Sequence, residues 1–350
     1  MVETARRERR TPSPAQSFAG PLRAAVCALL CGCASGEQPG TPPWTRIDTS
    51  GVAGRWGHVA VYDGARDRLL TFGGENAAGQ LDETLALDLS TRRFARLPTT
   101  GTPSPRTDLA GVLDAPRDRL VVVGGRQGLA TSIGEVWALD LPTGAWRRLP
   151  DGPSPRHDIS AATDGQRAWI FGGAGELFQS LDDLWELDLA TDAWRLLPGD
   201  GDRPSARTSG AIAFHDGAVI VDGGHDVAMV HNDAWRYDLA ARRWSRLRPS
   251  GSSVAGAHFG VAFDAGCAAL YLSGGDNLDN FDVSFTDALV LGAAPRFARV
   301  PTSKLPPVRD HPSLVLDSRR RTLVLYGGGR LGDGLPTLDD AWAYALAGCP

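Results

Sequence analysis

The chain has 350 residues, 42% of them hydrophobic and 22% charged, a balance that fits a globular protein and excludes both a disordered chain and one that fills a membrane. Its net charge is −5, and residues 1–32 hold five Arg and two Glu, so the remainder is more acidic still and repels phosphate backbones; no nucleic-acid partner is expected. Glycine accounts for 42 residues against a usual share of about 7%, so the chain must turn often.

At the N-terminus, Arg6, Arg7, Arg9, Arg10 and Arg23 precede an apolar run from Ala24 to Gly32 that is too short to span a membrane. The run ends in Leu30-Cys31-Gly32-Cys33, which resembles the bacterial lipobox. The resemblance implies that residues 1–32 are a signal peptide with lipobox, that Cys33 becomes lipidated, and that the protein is an exported, membrane-anchored lipoprotein of the bacterial envelope. Plain export to the periplasm or beyond is the alternative. Residues 33–43 read as a short linker. Further along, Cys267 and Cys349 lack the C-x-x-C spacing of a zinc site, but export permits one bridge between them.

From residue 44 onward the chain repeats. Gly73-Gly74, Gly124-Gly125, Gly172-Gly173, Gly223-Gly224, Gly274-Gly275 and Gly327-Gly328 follow one another at spacings of 51, 48, 51, 51 and 53 residues. A short apolar run such as Leu120-Val121-Val122-Val123 precedes each pair, too short for a helix and rich in β-branched residues, which predicts a buried strand. Further on, an acid stands two residues before a large apolar residue: Glu83/Leu85, Glu135/Trp137, Asp183/Trp185, Asp233/Trp235, Asp287/Leu289 and Asp340/Trp342. A second aromatic closes the first five units at Phe94, Trp146, Trp194, Trp244 and Phe297. The sixth unit has none, and Trp44 at the opposite end supplies the missing one. An orphan strand at one terminus and a gap at the other are reconciled by a closed ring.

These residues resemble the kelch repeat, whose diglycine, acid and tryptophans recur from about residue 44 to 346. The resemblance implies an all-β fold over residues 44–350, a six-bladed β-propeller whose last blade is closed by the N-terminal strand. The fifth unit departs most, with Leu289 in place of Trp and Ala257-His258 where the other units carry Arg before their first strand. The diglycines and most tryptophans are expected to serve turns and blade packing; Trp56, outside the repeated positions, is the one aromatic expected on a binding face.

In a four-stranded meander a-b-c-d the d-to-a and b-to-c connections share one edge, here the top. Arg55, Arg106, Arg156, Arg207 and Arg309 stand just before strand a and are expected there. By resemblance to kelch proteins that bind acidic partners they form an anion-accepting pocket; alternatively each pairs with the acid that opens strand c. No metal or other cofactor is expected, and the ranked candidates for one are His225, Asp226 and His231 in the fourth unit and Asp276 and Asp279 in the fifth.

G-x-S-x-G, H-E-x-x-H and Walker motifs are absent from the sequence. The expected function is non-enzymatic binding of a protein or glycan, possessing acidic groups, by a propeller held at the envelope through a lipid anchor. The alternatives are a carbohydrate-active enzyme resembling kelch-type sialate epimerases and a purely structural envelope protein.

Overall fold

The apolar runs that precede the diglycines form the second strands of six four-stranded antiparallel sheets in a computed structural model, which describes residues 41–49, 51–199, 201–253, 256–277, 281–282, 284–330 and 337–350. Residues 1–32 and Cys33, on which the lipobox reading rests, lie outside them. Strands a to d of blade 1 are Val59–Asp63, Arg68–Phe72, Thr84–Asp88 and Arg93–Arg96; those of blade 2 are Ala110–Asp114, Arg119–Val123, Val136–Asp140 and Trp146–Arg148. Blade 3 comprises Ala161–Thr163, Arg167–Phe171, Leu184–Asp188 and Ala193–Leu197, and blade 4 Ala211–His215, Ala218–Asp222, Ala234–Asp238 and Arg243–Leu247. Blade 5 comprises Gly260–Asp264, Ala269–Ser273, Thr286–Val290 and Arg296–Arg299. Blade 6 takes strands a to c from Ser313–Asp317, Thr322–Tyr326 and Ala341–Ala345, and its outer strand is the N-terminal Thr45–Ile47.

Strand b reads as a continuous apolar run because both of its faces are covered. In blade 2, Leu120, Val121 and Val122 are fully buried, their neighbours being strand a and strand c in the sheet and the adjacent blades above and below it. Buried apolar side chains gather in six clusters, each between two successive blades, including one between blade 6 and blade 1. No blade could bury these faces alone, so the sequence specifies a stack that closes on itself.

Closure is carried out by the N-terminal strand. Thr45, Arg46 and Ile47 pair with Ala343, Trp342 and Ala341, and Trp44 is 1% exposed, its ring 5.4 Å from that of Tyr344. Blade 5, despite its departures, has the same four strands; its Asp287 is held by Arg299 from strand d. Cys267 and Cys349 are joined in a disulfide, their Cα atoms 5.3 Å apart, which ties blade 5 to the end of blade 6.

All twelve glycines of the six pairs have positive φ, and the second of each pair donates its amide to the next blade. Gly74, Gly125, Gly173, Gly275 and Gly328 bond the carbonyls of Arg106, Arg156, Arg207, Arg309 and Arg55; Gly224 bonds that of Gly256. A side chain at Gly173 would meet the carbonyl of His157 at 2.8 Å and run into Ile159, so glycine is required for close approach as well as for the turn.

Candidate binding site at the channel mouth

Six short ladders put the segments before strand a and after strand b on one edge: Trp56, Thr107, His157, Thr208, Ala257 and Asp310 bridge to Glu75, Arg126, Ala174, His225, Asp276 and Gly329. The five arginines one residue earlier lie on this top edge, as expected, but they do not face the channel. All are 0–1% exposed, and each guanidinium runs to the acid that opens strand c: Arg55 to Glu83, Arg106 to Glu135 at 2.7 Å, Arg156 to Asp183 at 2.6 Å, Arg207 to Asp233 at 2.6 Å and Arg309 to Asp340 at 2.8 Å.

Arg156 shows why no donor is left for an anion. Its Nε bonds the Ser154 carbonyl, Nη1 the Gly172 carbonyl and Asp183, and Nη2 the Ser154 hydroxyl and Asp183, which uses all five N–H groups. Asp183 accepts in addition from the Trp185 indole at 2.7 Å, and Trp137, Trp235 and Trp342 bond their own acids in the same way. The repeated Arg, acid and Trp thus form one unit in each of blades 2, 3, 4 and 6, and blade 1 keeps the Arg–acid pair, the pairing alternative to a ligand pocket. The acidic-ligand expectation loses its donors here because burial removes all five guanidinium groups from solvent and each already meets an acid.

The residue two places after each arginine position turns toward the axis instead. Gly57, Asp108, Asp158, Ser209, His258 and His311 all have φ between 45° and 62°, a region open to Gly and tolerated by Asp and His. Their backbones ring the channel, and five of the six neighbouring pairs are hydrogen-bonded: the amides of Asp108, Asp158, Ser209, His311 and Gly57 donate to the carbonyls of Gly57, Asp108, Asp158, His258 and His311 over 2.7–3.3 Å, leaving the step from Ser209 to His258 open. Below this ring lies a cavity of about 520 Å³ lined by the six inner strands, largely by apolar residues such as Val61, Val112 and Phe259. Sequence reasoning passed over these positions, although aligning the six arginine segments would have shown that each carries Gly, Ser, Asp or His there.

Charge at the mouth is divided between acids of blades 2 and 3 and histidines of blades 5 and 6. Burial works against a charge on His311, but the hydrogen-bonded Asp310, with Asp108 and Asp158, raises its pKa to about 9. Burial and the neighbouring Asp158 push Asp108 up to about 6, opposed by His311 and by Arg126, whose Nε and Nη2 lie 3.1 and 2.9 Å from its carboxylate. For Asp158 burial acts upward, yet His258, His311, His157 and His225 hold it below the usual range. Burial keeps His157 and His225 low.

Trp56 does reach this mouth. Its ring stands 5.3 Å from that of His311, edge to face, and the Arg126 guanidinium lies over it at 5.9 Å. The ranked metal candidates of the fourth unit do not converge: His225 bonds Thr208 at 3.0 Å, whereas His231 bonds Asp226 at 3.1 Å. Asp276 instead holds His258 at 3.1 Å, and Asp279 lies outside the described residues. Among the described residues, the metal-ligating groups that converge are Asp158, His258 and His311.

The b-to-c loops of blades 2 to 4 stand beside the mouth. Leu129 in blade 2, Leu177 and Phe178 in blade 3, and Val227 and Met229 in blade 4 are exposed, Leu129, Leu177 and Val227 by 87, 92 and 91%. These loops are tied to one another at their bases: Gln80 bonds Arg126 and Gly128, and Ser132 bonds His157 and the Gly175 carbonyl.

The family model described as KLHDC2/KLHL20/DRC7 Kelch-repeats domain matches residues 38–151, 87–275 and 150–328. Similar proteins include the tRNA wybutosine-synthesizing protein 2/3/4 of Arabidopsis thaliana, 31% identical over 33% of this chain and 12% of that protein. Acyl-CoA-binding domain-containing protein 4 of the same plant is 33% identical over 38% of this chain and 20% of its own length. The matches thus span 12 and 20% of these relatives.

Proposed function

The chain belongs to the kelch-repeat family, and from that premise we propose that it is a non-enzymatic binding module whose top face docks a protein. Propellers of this family suit binding and scaffolding, and the relatives support a modular reading: one is named for tRNA wybutosine synthesis and another for an acyl-CoA-binding domain, yet each matches a stretch of 33 or 38% of this chain. The observation that carries the proposal is the row of exposed apolar side chains on the b-to-c loops of three consecutive blades. Scattered exposed apolar residues need no explanation, but Leu129, Leu177, Phe178, Val227 and Met229 share one edge of a rigid scaffold, on neighbouring loops along half of a polar mouth.

Photo-crosslinkers placed at Leu129, Leu177 and Val227 should capture one common protein, and a crosslinker at Arg117 on the opposite edge should not. With that partner purified, Leu177→Asp should weaken binding at least tenfold. Equal capture from both edges, or full affinity in the variant, contradicts the proposal. Display at the bacterial envelope through a lipid on Cys33 belongs to the same proposal and rests on the sequence resemblance. Cys33→Ser should then release the protein from membranes or leave it unprocessed; unchanged membrane partitioning contradicts the anchor.

A further inference from the structure

Asp158, His258 and His311 occupy equivalent positions in blades 3, 5 and 6, and each offers a ligand atom within 4.8 Å of the others. Both imidazoles are held from behind through Nδ1, His258 by Asp276 at 3.1 Å and His311 by Asp310 at 3.2 Å. Each ring keeps its Nε2 for another partner. Nε2 of His311 is 4.0 Å from Asp158 Oδ1, beyond a hydrogen bond, and the two rings lie face to face with centroids 3.8 Å apart. A carboxylate behind each imidazole fixes its tautomer and raises its basicity, the arrangement that supports histidine ligands in metal sites.

We propose that Asp158, His258 and His311 bind a divalent first-row transition ion at the channel mouth. Two imidazoles and one carboxylate match the preference of zinc, iron(II) or cobalt(II), whereas calcium and magnesium favour oxygen alone. Ligands at 2.0–2.1 Å from a tetrahedral ion stand about 3.3 Å apart, so the three groups draw in by less than about 1.5 Å, within reach of side-chain rotation. The protein supplies three ligands from around the ring, which leaves a further coordination position for water or for a donor from a molecule bound at the mouth. Backbone hydrogen bonds hold Asp158 between Asp108 and Ser209, and His258 against His311, before the ion arrives, so little ordering accompanies binding.

Titration of the chelator-treated full chain with cobalt(II), followed by displacement with zinc, tests this. One equivalent should bind with the visible spectrum of nitrogen and oxygen ligands, without the intense near-ultraviolet thiolate band that the N-terminal cysteines would produce. Asp158→Asn, His258→Asn and His311→Asn should each weaken binding at least tenfold while the melting profile stays that of the parent, because Asn tolerates the positive φ of these sites. Asp276→Asn should weaken it about 10–100-fold through its effect on His258. His215→Asn, at the far end of an inner strand, should bind as the parent does. Leu177→Asp should also keep the metal, which separates this proposal from the docking surface. Absence of stoichiometric binding, a thiolate spectrum, or binding that survives the three ligand substitutions overturns it.

Discussion

Arg156 stands for a residue whose position was legible in the sequence and whose direction was not. The spacing of the repeat puts it on the top edge, but whether a guanidinium points at the axis or at strand c depends on burial, which a linear pattern does not report. The structure has it 1% exposed with all five donors used. Arg156→Ala should therefore cost about 3–5 kcal/mol in denaturant unfolding, the range for breaking a buried pair by removing one partner. Arg117→Ala, where the arginine is part-exposed and the buried Asp114 keeps Arg119 at 2.8 Å, should cost less than about 1 kcal/mol. Equal losses would contradict the assignment of the five arginines to the scaffold.

Asp222 gives a second test at this scale. Burial pushes its carboxyl up to about 7, Asp233 adding to the shift and Arg207 opposing it. An unfolded Asp titrates near ~3.9, so the folded chain holds this proton more tightly. The stability it contributes is complete below about pH 4 and is lost as pH rises to about 7. Asp222→Asn removes that loss. At pH 8 the variant should be more stable than the parent by about 2–4 kcal/mol, with the gap closing toward pH 4, as thermal unfolding across that range would show. A gap independent of pH would mean that the carboxyl is ionised throughout.

Among the elements, Thr45–Ile47 carries the heaviest structural burden for its length. It completes blade 6, and Trp44 beside it packs among Val300, Trp342 and Tyr344. Truncating a buried aromatic costs about 3–5 kcal/mol. Trp44→Ala should thus lower the melting temperature at least as far as Trp194→Ala, whose ring is half-buried; a negligible effect would contradict closure by this strand. The strand was predictable because Trp44 fills the one gap in the series of closing aromatics. Blade 5 was predictable for a related reason: its apolar run Ala269–Ser273 and Gly274-Gly275 keep their places, and Arg299 replaces the absent arginine as partner of Asp287. What could not be read at this scale is the mouth, because the turn from each arginine position into strand a takes positive φ at Asp, Ser and His, residues that equally suit ordinary loops.

Across the whole molecule, six copies of one unit give a nearly symmetric scaffold, and function follows from where the copies differ. The number of blades, their order and their closure all follow from a repeat of about fifty residues, since such a unit buries its faces only by stacking. The differences lie at positions the scaffold does not constrain. Histidines gather at blades 5 and 6, acids at blades 2 and 3, and apolar loop tips at blades 2 to 4. Sequence alone names these residues without showing that the ring brings Asp158 next to His311, more than 150 residues apart, because that contact exists only after closure. The central claim is that the loop edge of the ring is the binding surface. Hydrogen exchange of the chain with and without its captured partner tests it most directly: protection should appear in the segments 126–133, 175–181 and 226–231, and protection confined to the a-to-b turns of the opposite edge would contradict the account.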